Sequence, residues 1–340
     1  MPATSSFSPK LVIYGIGFVG QELVRLATKK GWTIEAAYNR SGDKIGQDIG
    51  RLAGLDRDLG VLVQDSETGE YSGLNADVAL IAAGDQLEEN WPAYERFLGA
   101  GINVLCHGSA SYNPWWMNPE LAGKIDALAK RRCVTFSGGG IWDSTRIWSG
   151  IIAAGPCVEI ESMLHRTRTE IARQGMYWLD RLGVGLTAEM YSEKYSATGV
   201  GGGVFAIPSV SVLQKLGYTI ANVTQSQEPV IWDEEYFCPV LEKTLPAGIS
   251  WGTRFLVDVE TEEGVAARSE IEARAFREGE VEEMRWTIKG MPGMDIRVVR
   301  ENSGVASASS LLNRIPDVMA AEPGIMEITK HAPLKTSALL

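Results

Sequence analysis

Near the start of the chain, Gly15-Ile16-Gly17-Phe18-Val19-Gly20 has the residue types and spacing to hold a phosphate. Glycine lets backbone N–H groups approach a pyrophosphate. A helix opening at this point adds free N–H groups and the positive end of its dipole. The flanks make the pattern specific. Leu11-Val12-Ile13-Tyr14 is an apolar run suited to a buried parallel strand. After the glycines, Leu23, Val24, Leu26 and Ala27 share a helical face, and two lysines followed by Gly31 stop the helix. TIEAAY then reads as a second strand. The competing reading is a tight strand-to-helix turn that binds nothing.

The end of that second strand bears on which dinucleotide fits. A site for NAD usually places Asp or Glu there to accept from the ribose hydroxyls. Here the strand runs into Asn39-Arg40-Ser41, with Lys44 close behind and nothing acidic before Asp43. Arg40 can pair with a 2′-phosphate and Ser41 can donate to it, so the sequence favours NADP(H). The alternative for Arg40 and Lys44 is a solvated loop. The small residues Ala82, Ala83 and Gly84 follow another apolar strand and leave room for ribose and nicotinamide.

A nicotinamide site needs a proton donor or acceptor beside the reacting carbon, not a protein nucleophile. His107 follows the next strand, at the ligand-facing carboxyl edge of a doubly wound sheet, and imidazole titrates near neutral pH. A backbone-bonded structural histidine is the competing reading. Tyr112 and Asn113 can donate to a carbonyl or imine, or can simply pack a loop.

Strands and helices have to place these groups. Strands are expected at 78–83, 102–108 and 133–140, with helices around ENWPAYERFLGAG and PELAGKIDALAKRR. Repeated strand–helix alternation makes residues 1–140 an α/β, Rossmann dinucleotide-binding domain. Residues 141–300 change pattern, from a helix over 142–153 to long alternating strands near 158–171, 228–232, 253–260, 265–275, 281–289 and 295–299. That reads as an α+β domain with an antiparallel sheet wet on one face, interrupted by a helix near 210–217. Residues 301–340 return to helix rich in small residues, expected to pack back on the first domain.

Composition excludes several classes. With 45% hydrophobic and 22% charged residues the chain is an ordinary globular one. A net charge of −11 without a basic run excludes a nucleic-acid binder. No stretch is long and apolar enough to span a membrane, and MPATSSFSPK lacks a signal-peptide core. Four cysteines without CxxC spacing and three histidines argue against a metal site, and for a reducing, cytoplasmic setting.

LVIYGIGFVG, DKIGQDIGRLAG, NPWWMNPELA, SGGGI, VFAIPSVSVLQKLGY and SLLNRIPDVMAAEPG together resemble the dihydrodipicolinate-reductase-like dehydrogenases. Within them the likeness is to the branch of 2,4-diaminopentanoate dehydrogenase and native amine dehydrogenases. The resemblance implies an NAD(P)-dependent C–N oxidoreductase acting on a small molecule, and a homodimer built through the second domain's sheet. It implies that Trp115, Trp116 and Trp142 wall an apolar or aromatic substrate pocket, with Ser109 beside them. It also makes His165, on a His-Arg strand, a second substrate candidate, although His165 and Arg166 must point to opposite faces. Two positions depart from the branch. Its Glu after the NVLC strand is replaced by His107-Gly108-Ser109-Ala110-Ser111, and its GTGVNPG reads Gly138-Gly139-Gly140-Ile141-Trp142-Asp143-Ser144. Asp143 is a candidate for the missing carboxylate, or else a helix cap. A ketone or alcohol dehydrogenase without amine chemistry and a non-catalytic NADP sensor are the competing functions.

Overall fold

The computed structural model describes residues 7–40, 42–172, 176–195, 199–200, 203–238 and 241–336. Contacts divide the chain into two units, one made of residues 1–144 together with 302–340, the other of residues 145–301.

In chain order the elements begin with β1 (Lys10–Tyr14), α1 (Phe18–Lys29), β2 (Thr33–Asn39), α2 (Ile49–Leu52), β3 (Val63–Asp65), β4 (Val78–Ile81), α3 (Leu87–Gly99) and β5 (Asn103–Cys106). A 3₁₀ turn, Ser109–Tyr112, leads to α4 (Pro114–Met117), α5 (Pro119–Arg132) and β6 (Thr135–Gly138). A π-helical turn, Asp143–Trp148, then runs into α6 (Ser149–Ala154) and β7 (Glu159–Glu170). There follow α7 (Met176–Arg181), α8 (Ala188–Lys194), β8 (Gly199–Val200), α9 (Ile207–Lys215), β9 (Ile220–Ile231), β10 (Tyr236–Cys238), β11 (Lys243–Leu245), β12 (Ser250–Thr261), β13 (Ala266–Arg274), β14 (Glu282–Met291) and β15 (Met294–Arg300). The chain closes with α10 (Ser303–Ala320) and β16 (Gly324–Met326).

The first unit is built on a seven-stranded, wholly parallel sheet in the order β16-β6-β5-β4-β1-β2-β3. Its strands are short and apolar because both faces are covered; Leu11, Val12 and Ile13 are fully buried. In α1, Gly20, Leu23, Val24 and Ala27 are buried at helical spacing, and α10 lays Ala308, Leu311, Leu312, Ile315 and Val318 into the same core. Strand order reverses between β1 and β4, so the crevice at their carboxyl ends is the ligand-binding position of such sheets.

The second unit carries a seven-stranded sheet in the order β15-β14-β7-β13-β12-β9-β8. The expected antiparallel pattern holds except at its centre, where β7 and β13 run parallel. Residue alternation reports faces, not the direction of a partner a hundred positions away. α6 and α9 pack on the sheet, and Met163, His165 and Thr167 are buried while Arg166 is exposed.

Candidate functional site

The phosphate loop explains its own glycines. Gly15 has φ +92°, and a Cβ there would lie 2.5 Å from the Ala82 carbonyl oxygen. A Cβ on Gly20 would stand 1.9 Å from the Gly15 carbonyl oxygen, so only glycine lets α1 begin so close to the strand end. Gly17, the N-cap, faces open space, and among the described residues no side chain caps the helix behind it. Phe18 is exposed, and Val19 and Gly20 complete the first turn. An uncapped helix end over open space at the switch point fits the pyrophosphate of a dinucleotide.

Two side chains steady this loop. Asn39, at the end of β2, accepts from the Ile16 N–H through Oδ1 at 3.3 Å. Lys44 Nζ donates to the Ile16 carbonyl at 2.6 Å. Lys44 is therefore bonded to the loop and not merely solvated; nothing local in the sequence announces that reach of 28 residues. Arg40 is exposed beside them, and Ser41 lies outside the described residues. Asp65 pairs in register with Asn39, but its Oδ1 accepts from the Glu67 N–H at 2.7 Å. The IGQDIG motif shapes the loop beyond. Burial pushes the Asp48 carboxyl up, but N–H donors from Leu59, Gly50, Gly60 and Arg51 outweigh it and hold the group below the usual carboxylate range.

The carboxyl ends of β4, β5 and β6 gather the other candidates. Ala82, Ala83 and Gly84 are part-buried after β4. His107, part-buried after β5, keeps its backbone in the ladder through a bond from its N–H to the Ile81 carbonyl at 2.8 Å. Gly140, at φ +128°, marks where the side chains meet. A Cβ on it would lie 2.6 Å from the Tyr112 hydroxyl and 3.5 Å from His107 Nε2. A phenol and an imidazole thus border one point in space. Burial pushes the His107 imidazole below its usual value, with Asp85 pulling the other way, so the ring is neutral at pH 7. The Trp142 ring lies 5.7 Å from that of Tyr112, tilted by 31°. Trp115, 38% exposed, and part-buried Trp116 sit on α4, which Asn113 caps by accepting from the Trp116 N–H at 3.3 Å.

Ser109 is held by a residue that the sequence does not single out. Asp85 Oδ1 accepts from the Ser109 hydroxyl at 2.8 Å and from its N–H at 3.1 Å, and the Asp85 carbonyl accepts from the Ala110 N–H at 2.9 Å. Position after a strand of the parallel sheet was the available signal.

Asp143 occupies neither of its expected places, open acid or helix cap. Its carboxylate is fully buried, and Oδ2 accepts from Arg314 Nη2 at 2.6 Å and Nε at 3.0 Å. Arg314 also donates to Asp317 Oδ2 at 2.7 Å and to the Ala332 carbonyl at 3.0 Å, which gives the NRIPD motif a structural purpose. His165 belongs to the second unit, where it is fully buried and stacked on Trp286, with Nδ1 3.2 Å from Ser269 Oγ. Burial drives its imidazole well below the usual value, helped by Arg146 and Arg300. Among the described residues no group of three or more His, Cys, Asp or Glu can hold a metal.

A glycine-looped α1, a parallel sheet with its reversal at β1/β4, and a phenol–imidazole pair on the same edge define a nicotinamide-dependent oxidoreductase. The chain belongs to the 2,4-diaminopentanoate dehydrogenase family: residues 150–338 match the model of that family's C-terminal domain. It is 24% identical to 2,4-diaminopentanoate dehydrogenase of Acetoanaerobium sticklandii over 93% of this chain and 91% of that protein. The amine dehydrogenase structure from Mycobacterium smegmatis superposes with a TM-score of 0.89 at 27% identity, covering 98% of this chain and 99% of that one. A probable dehydrogenase from Thermotoga maritima shares the fold at a TM-score of 0.58 and 13% identity, over 93% of this chain and 90% of its own. The protein is thus an NAD(P)-dependent dehydrogenase.

Proposed function

We propose that this enzyme uses NADP(H) and acts at the amine, imine or ketone carbon of a small apolar or aromatic substrate. The observation that carries the reading is the meeting of Tyr112 and His107 over Gly140, on the sheet edge that also carries the phosphate loop. When bound, the nicotinamide supplies or accepts hydride. The chain's own residues hold the dinucleotide, place the substrate carbon and move a proton. Gly15, Gly17, Phe18, Val19 and Gly20 receive the pyrophosphate, and Ala82, Ala83, Gly84 and His107 border the ribose and nicotinamide. Tyr112 donates to the substrate oxygen or nitrogen, and neutral His107 takes or returns the proton. Trp115, Trp116 and Trp142, with Ser109, wall the substrate. Asp143 leaves this scheme, because its carboxylate is buried with Oδ2 on Arg314.

The preference for NADP(H) is supported by an exposed Arg40 where an NAD site has an acid, with Asn39 and Lys44 already committed to the loop. A homodimer through the second unit's sheet is supported by a sheet face carrying Arg166, Arg168, Arg254 and Arg285 interleaved with Glu228, Glu270 and Glu283. Each copy of such a face offers both signs to the other. A cytoplasmic setting is supported by four free thiols; among the described residues no helix is long and apolar enough to cross a membrane.

The test is NADPH turnover with a panel of apolar ketones, with and without ammonium, beside dissociation constants for NADPH and NADH. Equal affinity for the two cofactors refutes the role of Arg40, and a monomeric mass at micromolar protein refutes the dimer. Strong turnover of small diamines refutes the apolar pocket.

A further inference from the structure

A site that takes an amine or iminium must balance its positive charge once water is excluded, because an unpaired buried cation is costly. The side chains that meet over Gly140 cannot do this: the phenol and neutral imidazole are uncharged, and Ser109 adds only a hydroxyl. Asp143 is closed off on Arg314. One carboxylate remains on the turns that follow β4 and β5. Asp85 is part-buried, and its Oδ1 is fixed by two donors of Ser109, both neutral. Its backbone is tied to the same turn through Ala110, and Asn90 Nδ2 donates to the neighbouring Gly84 carbonyl at 2.9 Å. The carboxylate therefore bonds the residue that stands two positions after His107, in the turn that follows β5.

We propose that Asp85 is the anion that holds the cationic nitrogen of the substrate. The inference rests on the amine and imine part of the reading above. It deepens that reading by dividing the labour: Asp85 binds the charge, Tyr112 and His107 handle the proton, and the tryptophans take the apolar body. It leads to the expectation of a preference for one nitrogen, since a single carboxylate leaves the second charge of a diamine unmatched. The field of Asp85 at His107, opposing the effect of burial, agrees with this placement. Glu89, in the first turn of α3, is the rival carboxylate: its Oε2 lies 2.3 Å from where a Cβ on Gly84 would stand, so a loss of amine preference in Glu89→Gln alone overturns the assignment to Asp85.

The experiment compares binding of cyclohexylamine and its neutral isostere cyclohexanol to the NADP+-loaded protein by calorimetry, in wild type, Asp85→Asn, Asp85→Ser and Glu89→Gln. Turnover of cyclohexanone with and without ammonium chloride is measured in parallel. The inference expects wild type and Glu89→Gln to favour the amine. In Asp85→Asn that preference should fall about tenfold or more, the size of a lost charge-assisted hydrogen bond, with cyclohexanol and NADPH affinity unchanged. Asp85→Ser keeps a hydrogen-bonding side chain without charge and decides the matter if the Asn variant does not fold. An amine preference that survives in the Asp85 variants overturns the inference and leaves the amine reading standing. Wild type that shows no amine preference and reduces cyclohexanone without ammonium overturns the amine and imine part of the reading, and the inference falls with it.

Discussion

Arg314 and Arg166 each hold a carboxylate at 2.6 Å, yet they do different things for the molecule. Arg314 and Asp143 are enclosed in the first unit, with side chains 0% and 1% exposed. Arg166 and Glu270 lie on the second unit's sheet face, 56% and 29% exposed. The Coulomb attraction at equal distance differs by the surrounding dielectric, and so does the cost of stripping water from the ions. An enclosed pair fixes a turn, here the one that carries Trp142. An open pair is solvated within one copy of the chain, and its charges are free to meet those of a second copy. Distance alone would have ranked the two as equals.

The comparison is broken or sharpened by replacing one side at a time. Arg314→Met strands a buried carboxylate and should destabilise the protein by about 3–5 kcal/mol, read as a fall in melting temperature. Arg314→Met with Asp143→Leu should recover most of that loss, and a single replacement costing no more than a surface change would erase the distinction. Histidine offers a second contrast of enclosed against open. The folded His165 imidazole sits well below its usual value because of burial, so the unfolded chain binds the proton first as pH falls. Stability should therefore drop below about pH 6.5, the unfolded imidazole value, and His165→Gln should flatten part of that slope in unfolding curves from pH 7 to 5. Lys44 is the intermediate case, part-buried and bonded to a neutral carbonyl. Lys44→Met should weaken NADPH binding by about tenfold through the loosened loop, with little change in melting temperature. Arg166→Ala should cost about 1 kcal/mol or less, and that cost should shrink in high salt.

What the sequence disclosed follows the range of the interactions. The glycine loop, α1, α5 and the long strands are written in neighbouring residues, and their expected positions agree with the structure to within a few residues, except that β9, expected near 228–232, already begins at Ile220. The glycine loop is the part of the candidate site that was most legible. β3 and β16 were not legible, because three-residue strands such as VQD and GIM have no room for a periodic pattern. The helix expected over 142–153 forms as a π turn followed by α6, a change of hydrogen-bond register that residue types do not encode. What the sequence did not disclose was the distant partner of a carboxylate: for Asp143, named as a candidate, Arg314 171 positions away, and for Asp85, not singled out, Ser109 24 positions away. A carboxylate's neighbours in sequence say whether it can cap a helix. They do not say which arginine will enclose it.

The contribution of α10 and β16 to the first sheet's core sets the order of events during synthesis. Leu311, Leu312, Ile315 and Met326 complete a core whose other members include Leu11, Ile13 and Leu23, which leave the ribosome some three hundred residues earlier. The dinucleotide-binding unit therefore waits, with apolar surface unmatched, until the whole intervening unit of residues 145–301 has been made. That intervening unit is one uninterrupted stretch of chain and can fold as it emerges. A chain cut short between residues 301 and 311 carries a complete second unit attached to a first unit whose core lacks Leu311, Leu312, Ile315 and Met326, the form a cell's quality control is built to remove.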